Sequence, residues 1–239
     1  MPEIVTVATG LSEDSATLRL ARRLASATAE AVETGSARAA GSAGPAAGPE
    51  VVVTEINLRT LARELAGMAV SGLAAPALEE AFAAVQRADA LITVAPVYNG
   101  QPIGLHTLFF QLIDDAALAG TPVLIGATGG TARHSLAAET SLRPLLTYLK
   151  GILVPTSVFA ATDDWGADTS GMGSGCPLAA RITDAGAELA ELMGTRPAVR
   201  AGEQSTGEQQ AGQTIPAPNR GVDELDPETI TPFAQLLHS

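Results

Sequence analysis

Ala90-Leu91-Ile92-Thr93-Val94 runs directly into Ala95-Pro96-Val97-Tyr98-Asn99-Gly100-Gln101-Pro102-Ile103-Gly104. The first five residues read as a buried strand, and a helix is predicted to begin near Ile103. Between them lies a loop of prolines and glycines that carries a tyrosine and an asparagine. A loop from strand to helix sits at the carboxyl end of the strand, where open parallel α/β sheets bind planar ligands. The glycines let backbone approach such a ligand closely, and Asn99 both donates and accepts hydrogen bonds. The segment predicts an α/β sheet with a site for a flat, hydrogen-bonding molecule. Its plain alternative is a turn with Tyr98 packed as a surface aromatic.

Upstream, Ile4 to Ala8 reads as a first buried strand, followed by a polar loop and a helical pattern from Asp14 to about Glu33. Val51 to Ile56 is the second strand, and Ala77 to Arg87 the clearest helix before the third. Downstream come a helix over Ile103 to Asp114 and a strand over Pro122 to Ala127. A helix over Ser135 to Leu149 is expected to be interrupted near Pro144. The fifth strand is expected over Ile152 to Phe159, with Pro155 marking it as an edge. After a long loop, Thr162 to Pro177, Leu178 to Met193 is the last helix. Five strands alternating with helices indicate a doubly wound parallel sheet. The expected order is 2-1-3-4-5, which gathers the loops after strands one, three and four around one crevice.

The chain has 239 residues, is 46% hydrophobic and only 3% aromatic, so its core is expected to be Ala, Leu, Val and Ile. Its formal charge is -12, and its basic residues, all Arg except Lys150, are scattered. That pattern excludes a nucleic-acid partner. The single cysteine, Cys176, precludes an intrachain disulfide and a Cys-rich zinc site. With His106, His134 and His238 far apart and no paired carboxylates at ligand spacing, no metal site is expected. Met1-Pro2-Glu3-Ile4 does not resemble a signal peptide, and no apolar run reaches membrane-spanning length. A cytoplasmic protein with no membrane partner is the expectation. Residues 1–194 read as one domain with a flexible Gly/Ala/Ser/Pro insertion at about 35–49. Residues 195–239 read as a low-complexity tail that regains a short apolar segment at Thr231 to Leu237.

Two further loops carry chemistry. Thr9-Gly10-Leu11-Ser12-Glu13-Asp14-Ser15-Ala16-Thr17 is rich in hydroxyls at the start of a helix, where backbone amides hold phosphates. Ser12, Ser15 and Thr17 would add donors, while an ordinary helix cap is the equal alternative. Thr128-Gly129-Gly130-Thr131 lets backbone lie flat against a ring, although paired glycines are also common turn chemistry.

Together the three loops resemble the NAD(P)H-dependent FMN reductase family of the flavodoxin-like fold. The first loop is similar to that family's G-S-x-R-x-x-S-x-T phosphate loop. Pro96-Val97-Tyr98-Asn99-Gly100, with Pro102, Gly104 and Leu105, resembles its P-x-Y-x-x-x-x-P-G-x-L-K isoalloxazine loop. The resemblance covers roughly residues 3 to 193. Gly129 to His134, Leu142 to Leu146 and Asp163-Asp164-Trp165-Gly166 look like the actinobacterial branch that supplies reduced flavin to luciferase-like monooxygenases. There are two departures: the first loop lacks an arginine, and His106 stands where the family commonly has lysine.

The resemblance implies a flavodoxin-like three-layer α/β sandwich around a five-stranded parallel sheet. It implies FMN and either NADPH or NADH, a homodimer or homotetramer, and a flavin-dependent monooxygenase as partner. It carries phosphate contact to Gly10, Ser12, Ser15 and Thr17. Ring contact falls to Pro96, Val97, Tyr98, Asn99 and Gly100, then to Thr128, Gly129 and Gly130. Hydride transfer between nicotinamide and flavin needs no protein base, so no catalytic side chain is expected. Arg133 and Arg143 are the candidates for meeting the 2′-phosphate of NADPH, with His134 beside the first of them. Asp163-Asp164 is expected to be a solvated loop bordering the mouth. The rival readings are an FMN-containing quinone, azo or chromate reductase, a non-enzymatic flavodoxin-type electron carrier, and a flavin-free interaction module.

Overall fold

Strands covered by helices on both faces must be apolar along their length, and three strands here meet that condition. They are β1 (Glu3–Ala8), β3 (Ala90–Tyr98) and β5 (Pro122–Gly129), each buried almost throughout. The computed structural model describes residues 1–12, 14–39, 50–167 and 178–195. Residues 40–49 of the expected insertion, Glu13, Cys176, His238 and the expected tail beyond residue 195 lie outside the described residues.

β2 (Val52–Asn57) pairs with β1, β1 with β3, and β3 with β5, all parallel. The main path through the seven-stranded sheet is β2-β1-β3-β5-β6. The expected 2-1-3-4-5 order is therefore present, with two additions. The expected fifth strand is broken into β6 (Ile152–Leu153) and β7 (Val158–Ala161), and both pair parallel with β5. Pro155 lies in the gap, because it has no N–H to give to a ladder. There the Arg143 guanidinium donates to the carbonyl oxygens of Val154 and Pro155, at 3.1 and 3.2 Å.

The second addition corrects the expected loop. β3 does not stop at Val94 but continues to Tyr98, and Asn99 and Gly100 turn the chain into β4 (Gln101–Pro102), antiparallel to β3. Both turn residues have positive φ, 51° and 78°. Asn-Gly is the dipeptide that adopts this tight hairpin turn with least strain.

α1 (Ala16–Ala39) continues past Glu33, so the first residues of the expected insertion are helical. It packs on one sheet face with α7 (Leu178–Thr195), burying Ile4, Ala8, Ile92 and Leu124. Alternate strand residues, Val5, Val7, Leu91 and Val123, face the opposite core. That side is covered by α2 (Ala62–Ser71), α3 (Pro76–Arg87), α4 (Gly104–Leu112) and α5 (Arg143–Tyr148). The helix expected over Ser135 to Leu149 is instead a 3-10 turn (Ala132–His134), a π-helical turn (Ala138–Leu142) and α5. The π-helical turn runs directly into α5, with the Arg143 N–H reaching back to the Ala138 carbonyl, so the helical run is interrupted just before Pro144, as expected. α6 (Asp164–Ala167) follows β7. No single helix among the described residues is long and apolar enough to cross a membrane.

Candidate active site

β1, β3 and β5 are neighbours and run parallel, so their carboxyl ends open at one end of the sheet. Ala8 at the end of β1 pairs with Val94, and Pro96 pairs with Thr128 near the end of β5. The three loops singled out by their chemistry therefore emerge side by side.

The first loop is held tightly at both ends. Thr9 is buried, and its N–H donates to the Val94 carbonyl at 3.3 Å. A Cβ on Gly10 would lie 2.4 Å from Ser15 Oγ and 2.5 Å from Leu18 Cγ, so only glycine lets the loop fold onto the helix start. Ser15 caps α1, its hydroxyl accepting from the Leu18 N–H at 3.2 Å. Ser12 and Leu11 are exposed. Thr17 is buried, and its hydroxyl lies 2.9 Å from the Thr128 hydroxyl, tying the first loop to the third. One of these two hydroxyls donates to the other, which leaves one proton between them to give elsewhere.

In the second loop Pro96 and Val97 are buried, while Tyr98 is 49% exposed and Asn99 is exposed at the hairpin tip. In the third, a Cβ on Gly129 would sit 2.9 Å from the Phe159 ring, so packing alone requires glycine there. Gly130 faces open space.

Other side chains support these loops from beneath and beside them. His106 on α4 is fully buried, with Nδ1 2.9 Å from the Thr9 hydroxyl and Nε2 2.8 Å from the Thr93 hydroxyl. Its ring is tilted against Phe110, with centroids 5.4 Å apart. Burial pushes its pKa down to about 3, so the imidazole is neutral at neutral pH. A neutral ring has one donor and one acceptor nitrogen, and the two threonines satisfy both. The spacing of His106, Phe109, Phe110 and Ile113 is that of a buried helix face and betrays the burial. Its partner Thr9, ninety-seven residues away, left no such trace.

Arg59, in the turn Leu58–Leu61 after β2, donates to the Leu11 carbonyl at 3.4 Å. It brings a guanidinium to a loop that has none of its own. Arg19 on α1 lies 4.6 Å from the centroid of Trp165 on α6, within cation–π reach.

Two expectations need correction. Asp163 is exposed, but Asp164 is not a solvated loop residue: it accepts from the Ala161 N–H at 2.8 Å and from Arg181 at 2.9 Å. Arg143 is not free for a nucleotide phosphate, because it pairs with Glu139 and holds the two carbonyls in the broken strand. The Arg143 hydrogen bond keeps the Glu139 carboxyl below its usual range. Arg133 is exposed on the 3-10 turn beyond β5, beside a half-buried His134.

The model of the family described as NADPH-dependent FMN reductase matches residues 2–166. The chain belongs to this family. It is 43% identical over 141 residues to an NADH-dependent FMN reductase, SfnF, of Pseudomonas fluorescens, spanning 59% of this chain and 73% of that protein. To an FMN reductase (NADPH) of Pseudomonas aeruginosa it is 38% identical over 141 residues, 59% of this chain and 74% of the relative. Among solved structures, an oxidoreductase from Corynebacterium diphtheriae superimposes with a TM-score of 0.69 at 33% identity, covering 82% of this chain and 99% of that one. The fold is flavodoxin-like, and this FMN reductase is an oxidoreductase that uses FMN with a nicotinamide nucleotide.

Proposed function

We propose that this FMN reductase binds FMN in the crevice between its three loops, reduces it with NADPH or NADH, and releases the reduced flavin to a flavin-dependent monooxygenase. The adjacency of the carboxyl ends of β1, β3 and β5 carries this reading. FMN fits the donors there. The bend at Gly10, which a Cβ would fill, brings the loop onto the positive end of α1. Gly10, Ser12, Ser15 and Thr17 would hold the phosphate, with Arg59, which donates to the Leu11 carbonyl, supplying positive charge from the turn after β2. Pro96, Val97, Tyr98, Asn99 and Gly100, with Thr128, Gly129 and Gly130, would hold the ring.

When bound, FMN supplies the redox chemistry by accepting hydride from the nicotinamide. The chain's own work is geometric. It holds the two planar partners in contact, excludes water, and presents third-loop N–H groups to the electron-rich ring edge. No side chain has to move a proton.

Release of reduced flavin is favoured by a first loop without its own arginine and by a half-exposed Tyr98. The resemblance to the actinobacterial branch supports a luciferase-like oxygenase as recipient. Residues 1–194 form the reductase domain, and the enzyme works in the cytoplasm as a homodimer or homotetramer. The test is gel filtration followed by turnover of the flavin-free protein. FMN should be lost on the column, and added FMN should restore oxidation of NADPH or NADH. Retention of FMN with direct quinone turnover would instead favour the quinone, azo or chromate reductase reading.

A further inference from the structure

We propose that His106 is a positioning residue for FMN: by holding the Thr9 hydroxyl it fixes the entrance to the first loop, a role that rests on the reading of that loop as the phosphate site. The hydrogen bond to Thr9 is 2.9 Å long, and the second, to Thr93 on the neighbouring strand, is 2.8 Å. Thr9 is thus gripped twice, through its hydroxyl by His106 and through its N–H by the Val94 carbonyl. The next residue is Gly10, whose fit against Ser15 and Leu18 leaves no room for a Cβ. Gly10 follows directly in the chain, so the placement of Thr9 sets where the loop enters against Ser15 and Leu18.

His106 also stands in the first turn of α4, the element that follows the Asn99-Gly100 hairpin in the chain. It therefore ties the phosphate side of the crevice to the ring side. Held at both ring nitrogens, His106 is a two-ended clamp between Thr9 and Thr93.

The test compares FMN with riboflavin, which has the same ring and no phosphate. Thr9→Val removes the hydroxyl and keeps the branched shape; Thr9→Ser keeps the hydroxyl. The wild-type protein is expected to bind FMN about tenfold or more tighter than riboflavin. In Thr9→Val and His106→Gln, FMN binding should weaken about fivefold or more while riboflavin changes by less than about twofold. Thr9→Ser should retain the wild-type ratio. An unchanged ratio in Thr9→Val, or an equal loss for both flavins, would overturn the positioning role and leave the phosphate reading standing. A wild-type protein that does not discriminate between the two flavins would overturn the phosphate reading itself, and the inference with it.

Discussion

Gly10 shows how little separates a working first loop from a disrupted one. An added methyl would fall 2.4 Å from Ser15 Oγ and against Leu18. Gly10→Ala is expected to cost about 1–3 kcal/mol of stability, as overpacking does, and to weaken FMN binding; denaturant midpoints and flavin titration check both. Tyr98→Ala or Asn99→Ala should weaken FMN binding about tenfold, or about 1.4 kcal/mol. Wild-type affinity in both variants would remove the second loop from the site. His106 makes a prediction of opposite character, about pH. Its pKa falls from 6.5 to about 3 on folding, so below pH 6.5 the unfolded chain takes up a proton that the folded one refuses. Stability should therefore fall as pH drops from 6.5, by up to about 1.4 kcal/mol per pH unit. Glu3 and Glu139 are also lowered, from 4.5, so their contributions are present above that value and fade only below it. His106→Gln should flatten the slope between about pH 6.5 and pH 5, and an unchanged slope would contradict the buried neutral ring.

Elements were legible in proportion to how local their cause is. The runs Ile4 to Ala8, Ala90 to Val94 and Pro122 to Ala127 are apolar because both sheet faces are covered, and each is a strand. The Asn99-Gly100 turn was also written in the chain, but Pro96 and Pro102 on either side made it look like open loop rather than a hairpin. Pro155 marked a disturbed edge, while Arg143, which donates to the carbonyls in the break, comes from a different element. The π-helical turn at Ala138–Leu142 has no periodic signature and was absorbed into a longer expected helix. At this scale Arg143→Ala is the informative variant. It strips the Val154 and Pro155 carbonyls of their donor and is expected to destabilise the fold by about 1–3 kcal/mol. A denaturant midpoint equal to wild type would show that the break between β6 and β7 does not depend on it.

Across the whole molecule, the three loops were readable because each bears a local pattern and the strand order brings them together. The supports beneath them were not. Thr9 at the start of the first loop, Thr93 on β3 and His106 on α4 meet, and Arg59 reaches the first loop from the turn after β2. Contacts of that kind follow from the fold and leave no spacing to detect. Nucleotide preference also belongs to this scale. With Arg143 committed to Glu139, exposed Arg133 is the remaining candidate of the two for a 2′-phosphate contact. Arg133→Ala should raise the KM for NADPH about fivefold and leave that for NADH unchanged, since the lost contact is a charged one. The most direct test of the reductase site is the rate of NADPH and NADH oxidation by flavin-free protein as FMN is added, in wild type and Tyr98→Ala. Oxidation should saturate with FMN, and the variant should need about tenfold more to reach half its maximal rate. Oxidation indifferent to added FMN, or the same half-saturation in both proteins, would contradict an FMN reductase site built from these three loops.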